Sequence, residues 1–203
     1  MATKTQSSTS NGTAKSSNGQ ASKKTSSSNG KQKSLRDLFE EGLKDIYNAE
    51  QQLIEALPQM AQAAYHEELQ DSFTIHLEQT KKQAERLEKI FMRLRMDREG
   101  ETCKAMEGLI EEGQKIIEEF EPGPVRDSAL IIGAQKIEHY EIAAYGSLNE
   151  LAEVLGYHKI ADVLDRSLLE EEDTDALLTE IAQEVNDEAL EMSNEFSTEE
   201  VEA

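Results

Sequence analysis

Residues 137–148 read Ile-Glu-His-Tyr-Glu-Ile-Ala-Ala-Tyr-Gly-Ser-Leu, and they set one acid, Glu141, in line with Ile137, Ala144 and Leu148. Positions three and four apart share one face of an α-helix. The same stripe reaches back through Leu130 and Ala134 and on to Leu151, which predicts a helix from about Asp127 to Leu155 with Gly156 as its C-cap. A second segment repeats the arrangement. Tyr47-Asn-Ala-Glu50 followed by Leu53 and Leu57 aligns with Glu138-His-Tyr-Glu141 followed by Ala144 and Leu148. Glu50 is flanked one turn away by Ile46 and by Leu53 and Ile54. An ionised carboxylate among aliphatic side chains is very costly unless it is paired, protonated or bound to a cation.

Working outward, apolar residues keep helical spacing from Leu35 onward, and no sustained alternation of the strand type occurs. A first helix is expected from Ser34, as N-cap, to about His66, with a kink at Pro58. A second is expected after Asp71-Ser72 and up to about Met96, a third over Thr102–Phe120, ended by Glu121-Pro-Gly-Pro124. A fifth runs from His158 into the 190s with Ala161, Leu164, Leu168, Glu171, Asp175, Leu178 and Ala182 inward. Short connections make antiparallel hairpins of helices 1–2 and 4–5. The long link between them contains helix 3, whose ~18 residues reach roughly 27 Å, about the length of a small bundle. The fold class is all-α: a ferritin-like four-helix bundle of two antiparallel hairpins with an extra crossover helix.

The 203 residues carry 42 acids against 21 bases, a formal charge of −21, with 37% hydrophobic residues and one Cys. Residues 1–34 have no acid and six Lys among Ser, Thr, Asn and Gly, and predict a disordered basic tail. Setting its six positive charges aside from the net −21 leaves −27 on the remainder, residues 35–203. The bundle is expected over 35–192, and an acidic C-terminal tail over 193–203. A negative field of this size disfavours nucleic acid and anionic lipid as partners of the folded body, while the basic tail is suited to an anionic surface. No apolar run is long enough to insert into a membrane. One Cys cannot make an internal disulfide and nothing resembles a signal peptide, so a cytoplasmic location is expected.

Depth along the bundle groups the acids. Glu50 lies about 16 residues before the first hairpin turn and Glu141 about 15 before the second. The same depth past each turn falls near Gln83 on helix 2 and near Glu171, Glu172 and Asp175 on helix 5, while Glu138 sits one turn before Glu141. Carboxylates converging in a core cannot all ionise without compensating charge. That charge is either two divalent cations, for which oxygen-rich ligands suit iron or manganese, or salt bridges to Arg86 or Lys136. The remaining alternative is a hydrated layer of protonated acids. His76 lies at the edge of the helix-2 face. Tyr47, Tyr140 and Tyr145 lie near enough to donate to a ligand carboxylate, His139 reads as a surface residue, and Cys103 as a packing thiol.

At Leu43-Lys-Asp-Ile-Tyr-Asn-Ala-Glu-Gln-Gln-Leu53, Leu57-Pro-Gln-Met60, His76-Leu-Glu-Gln-Thr80, Glu85-Arg-Leu87, Cys103-Lys-Ala-Met-Glu-Gly-Leu109, Ile137-Glu-His-Tyr-Glu141 and Leu169 through Thr174-Asp175 to Leu178, the sequence resembles the YciE/YciF family. These are bacterial ferritin-like proteins linked to stress responses. The resemblance spans nearly all of residues 35–190, and residues 1–34 lie outside it. It implies a homodimer or larger homo-oligomer and a rubrerythrin-like metal site holding two iron ions, or manganese. Candidate ligands are then Glu50, Glu138, Glu141, Glu171, Glu172, Asp175, Gln83 and His76, and the Glu138-x-x-Glu141 pair resembles the rubrerythrin helix that carries two Glu ligands. The expected role is stress protection through metal oxidation with O₂ or peroxide. The alternative is a non-catalytic structural or oligomeric stress protein with a vestigial metal site.

Overall fold

The computed structural model describes residues 32–202, which form five helices and, among the described residues, no strand. In chain order they are α1 (Leu35–Ala63), α2 (Glu67–Leu94), α3 (Lys104–Glu119), α4 (Pro124–Val154) and α5 (His158–Glu202). The basic tail expected at residues 1–34 lies, as far as residue 31, outside the described residues. Helix α5 runs on to Glu202, across the stretch expected from the sequence as an acidic tail.

Local chemistry explains where α1 and α4 begin. Ser34 caps α1 in a reciprocal box: its hydroxyl accepts from the Asp37 N–H at 3.1 Å, and the Asp37 carboxylate accepts from the Ser34 N–H at 2.7 Å. Pro58 lies inside α1 on an exposed face and does not end it. Helix α4 opens on Pro124 after Gly123, whose φ of 152° only glycine adopts readily. Helix α2 departs from the sequence-based boundary, starting at Glu67 rather than after Asp71-Ser72. Its start is fixed from another helix. The carboxylate of Asp127 on α4, 0% exposed, accepts from the backbone N–H groups of Tyr65 at 2.8 Å and His66 at 2.7 Å.

Side-chain pairs give the topology. Tyr65 meets Asp127 while Glu50 meets Tyr145, so α1 and α4 are antiparallel. Likewise His76 meets Thr174, and Arg86 meets Glu170 and Ser167, so α2 and α5 are antiparallel. With the hairpins α1–α2 and α4–α5, the four helices close a ring in which α3 packs on α1 and α4 from outside. Asn48 and Gln52 fasten the crossover by bonding the Cys103 N–H and carbonyl, at 2.7 Å and 3.1 Å. The architecture is the expected one.

The core seam of α1 reads Phe39, Leu43, Ile46, Glu50, Leu53, Leu57, Met60, and that of α5 reads Ile160, Leu164, Ser167, Glu171, Thr174, Leu178, Ile181, Val185. Both alternate steps of three and four, the spacing of left-handed bundle packing. Leu168, Asp175 and Ala182, expected inward on α5, flank this seam and are only partly buried. On α4 the seam takes Tyr145 and Ala152 where Ala144 and Leu151 were expected. Among the described residues, no helix is long and apolar enough to cross a membrane.

Candidate metal centre

At mid-height every bundle helix turns a polar side chain into the core. Helix α1 contributes Glu50, α2 contributes His76, Thr80 and Gln83, α4 contributes Glu138, Glu141 and Tyr145, and α5 contributes Ser167, Glu171 and Thr174. Each occupies a seam position, so the helix repeat that builds the apolar core also aims these groups at one another. Glu50, Gln83 and Glu171 are 0% exposed, Glu141 1%, Glu138 2% and His76 2%. One ligand-type atom from each of His76, Glu138, Glu141 and Glu171 lies within 4.8 Å of the other three. The His76 ring nitrogen Nε2 stands 3.4 Å from Glu138 and 3.9 Å from Glu171.

Several of these groups find partners, but seven of their buried atoms do not. Tyr145 donates its hydroxyl to Glu50 Oε1, and the Gln83 amide donates to Glu171 Oε1. Left without any hydrogen bond are Glu50 Oε2, His76 Nε2, Gln83 Oε1, Glu138 Oε2, both oxygens of Glu141, and Glu171 Oε2. No Lys or Arg of the described residues forms an ion pair with Glu50, Glu138, Glu141 or Glu171. Arg86 is taken by Glu170 through two bonds of 2.6 Å, and Lys136 by Glu112 at 2.6 Å. Neither salt bridge considered for the core from the sequence is formed.

Electrostatics follow from this burial. Desolvation, then the charge of Glu171, pushes the Glu50 carboxyl well above its ordinary range, against the opposing Tyr145 hydrogen bond. Burial and then Glu171 raise Glu138 in the same way, and burial and then Glu50 raise Glu141. Burial carries Glu171 up to about 8. His76 moves the other way, down to about 4, because burial disfavours the imidazolium. The imidazole is therefore neutral at pH 7 and its lone pair is available. With protons alone the cluster holds several neutral acids; with cations it can hold four carboxylates.

Of the candidate residues, Glu50, Gln83, Glu138, Glu141, Glu171 and His76 come together. Two do not. Glu172 is exposed, because one residue beyond Glu171 the helix has turned about 100° to the outside. Asp175 stands at the rim, where Gln135 and the exposed His139 each approach it at 3.3 Å. Among the tyrosines only Tyr145 reaches the cluster; Tyr47 donates to Glu88 at 2.8 Å and Tyr140 to Asp45 at 2.6 Å, beside the buried Cys103. Sequence reasoning missed Ser167 and Thr174, whose four- and three-residue steps to Glu171 were a usable signal. It also missed the Arg86–Glu170 pair beside them.

The DUF892 family, described as a domain of unknown function, matches residues 34–191. Protein YciF of Escherichia coli (strain K12) is 48% identical over 153 residues, which are 74% of this chain and 91% of YciF. The crystal structure of the E. coli stress protein YciF superposes with a TM-score of 0.74 at 46% identity, over 76% of this chain and 98% of that one. YcfI from Rhodopseudomonas palustris gives 0.70 at 41%, over 72% and 94%. The family resemblance carried by the sequence motifs holds across the whole bundle.

Proposed function

The chain belongs to the DUF892 family, and we propose that it binds two divalent cations, iron or manganese, between Glu50, His76, Gln83, Glu138, Glu141 and Glu171. The observation that supports this most strongly is the set of seven buried, unpartnered atoms at one level of the core. A buried polar atom left unpaired costs about 1–3 kcal/mol, and more when charged. Four carboxylates with no Lys or Arg partner among the described residues match the charge of two divalent ions. Oxygen donors with one imidazole are the ligand types of iron and manganese rather than of thiolate-seeking metals.

The chain's own residues would prepare the site. Glu50, Glu138, Glu141 and Glu171 would give up their protons on loading and neutralise the incoming charge. His76, neutral at pH 7, offers a nitrogen without first losing a proton. Tyr145 orients Glu50 so that Oε2 stays free, and the Gln83 amide holds Glu171 so that its own carbonyl oxygen stays free. Bound iron would supply oxidation by O₂ or peroxide, and that chemistry would serve the stress role by which E. coli YciF is described.

Anaerobic Fe(II) titration of the chelated full chain, followed by admission of O₂ or peroxide, tests this. Two equivalents more than in Glu138→Gln/Glu141→Gln are expected, with oxidant consumed on admission. Uptake no greater than that of the variant overturns the proposal. Uptake without oxidant consumption would leave the binding site and remove the oxidation chemistry, in favour of a non-catalytic structural role.

A further inference from the structure

A second group of ligand-type side chains stands outside the core cluster. His66, in the turn between α1 and α2, meets Glu184 and Glu188 of α5, with one ligand-type atom of each within 4.8 Å of the other two. Glu184 and Glu188 are one turn apart and present both carboxylates on one side of the helix. Between them Val185, 1% exposed, anchors α5 to the bundle. His66 is held by its backbone, since its N–H is bound to the buried Asp127 carboxylate at 2.7 Å.

Two further observations point to a cation. The His66 nitrogen Nδ1 is sealed from solvent and has no hydrogen-bond partner. Neither glutamate forms an ion pair with a Lys or Arg of the described residues. The chain has no Lys or Arg at all after Arg166, so the whole of α5 beyond that point contributes a negative field.

We propose that His66, Glu184 and Glu188 form a second, outer cation site for a Zn²⁺-class divalent ion. One imidazole and two carboxylates are a ligand set that zinc accepts, with water completing the shell. This site shares no residue with the core cluster and stands whether or not the core binds metal. It has a structural consequence. Beyond Val185 no described residue of α5 is buried, so a cation here ties α5 to the α1–α2 turn at the point where it leaves the bundle.

Zn²⁺ titration calorimetry on the chelated full chain reads the site. Glu184→Gln/Glu188→Gln is expected to bind one equivalent fewer than the unmodified chain, and His66→Gln alone to weaken the outer site by more than about 100-fold. The core variant Glu138→Gln/Glu141→Gln is expected to keep this equivalent. In that variant, stoichiometric Mn²⁺ should broaden the amide NMR signals around residue 66 and residues 184–188 before any others. Unchanged stoichiometry in Glu184→Gln/Glu188→Gln, or first broadening elsewhere, overturns the proposal. Because the outer site is read with the core disabled, the core reading can fail without this one.

Discussion

The metal-free protein should lose stability between pH 6.5 and 8, a direction opposite to that of most carboxylate-rich proteins. Glu171 titrates at about 8 in the folded chain against an ordinary value of 4.5, so the native state keeps a proton that the unfolded state releases. Where the native state binds more protons, stability falls as pH rises. Each pH unit with one such excess proton is worth about 1.4 kcal/mol. His76 opposes this over part of the range. Its pKa falls from 6.5 to about 4, so between those values the unfolded state binds the extra proton and stability rises with pH. From about pH 4.5 to 6.5 the two slopes nearly cancel. Above 6.5 the opposing slope fades as the unfolded His76 loses the rest of its proton, and Glu171 removes about 1.5 kcal/mol by pH 8. Glu50, Glu138 and Glu141 are shifted the same way and add to the loss. Urea denaturation of the chelated chain at pH 6.5, 7.2 and 8.0, repeated at high salt to suppress surface repulsion, measures it. Glu171→Gln should flatten the slope. Saturating Mn²⁺ should invert it, because a cation displaces the same protons. Stability that stays level or rises from pH 6.5 to 8 without metal would refute the reasoning.

Two further outcomes test individual contacts. Tyr145→Phe removes the donor to Glu50 Oε1 and should destabilise the metal-free chain by about 1–3 kcal/mol in the same urea assay. Asp127→Ala strips the acceptor from two backbone N–H groups; a loss of about 3 kcal/mol is expected, with faster hydrogen exchange at Tyr65 and His66 and little change at Leu87.

Glu50 and Glu141 were legible in the sequence because each interrupts an otherwise aliphatic stripe, and a stripe of that length fixes which way its members face. The acids of α5 were legible only in part, since Glu171 was expected inward together with Asp175 and beside Glu172. Glu170, Glu171, Glu172, Asp173 and Asp175 are nearly consecutive, so naming the inward one requires the helix phase to within one residue. The observed seam through Leu164, Glu171, Leu178 and Val185 selects Glu171 and turns Glu172 out. His76 was placed at an edge for a related reason. Its helix is expected from the sequence only after Asp71-Ser72, which hides the turn before it, and the true start is set by Asp127, a partner more than sixty residues away that no local pattern announces. The same distance hid the outer cluster, since His66 and Glu188 meet only once the bundle has closed.

The position of the core cluster bears on what it does for the fold. Glu50, His76 and Gln83 belong to the α1–α2 hairpin, and Glu138, Glu141 and Glu171 to the α4–α5 hairpin. Layers above and below are filled by Leu43, Leu53, Leu130, Leu164 and Leu178, all essentially buried, so these backbones accept aliphatic side chains at such seam positions. Each buried Leu contributes about 1.5–3 kcal/mol, whereas each unpartnered carboxylate opposes folding. The chain thus gives up packing where its two hairpins face one another. Folding alone has no use for that. A cation bound there would restore the lost cohesion as a cross-brace between hairpins, which makes metal loading and bundle closure a single linked equilibrium.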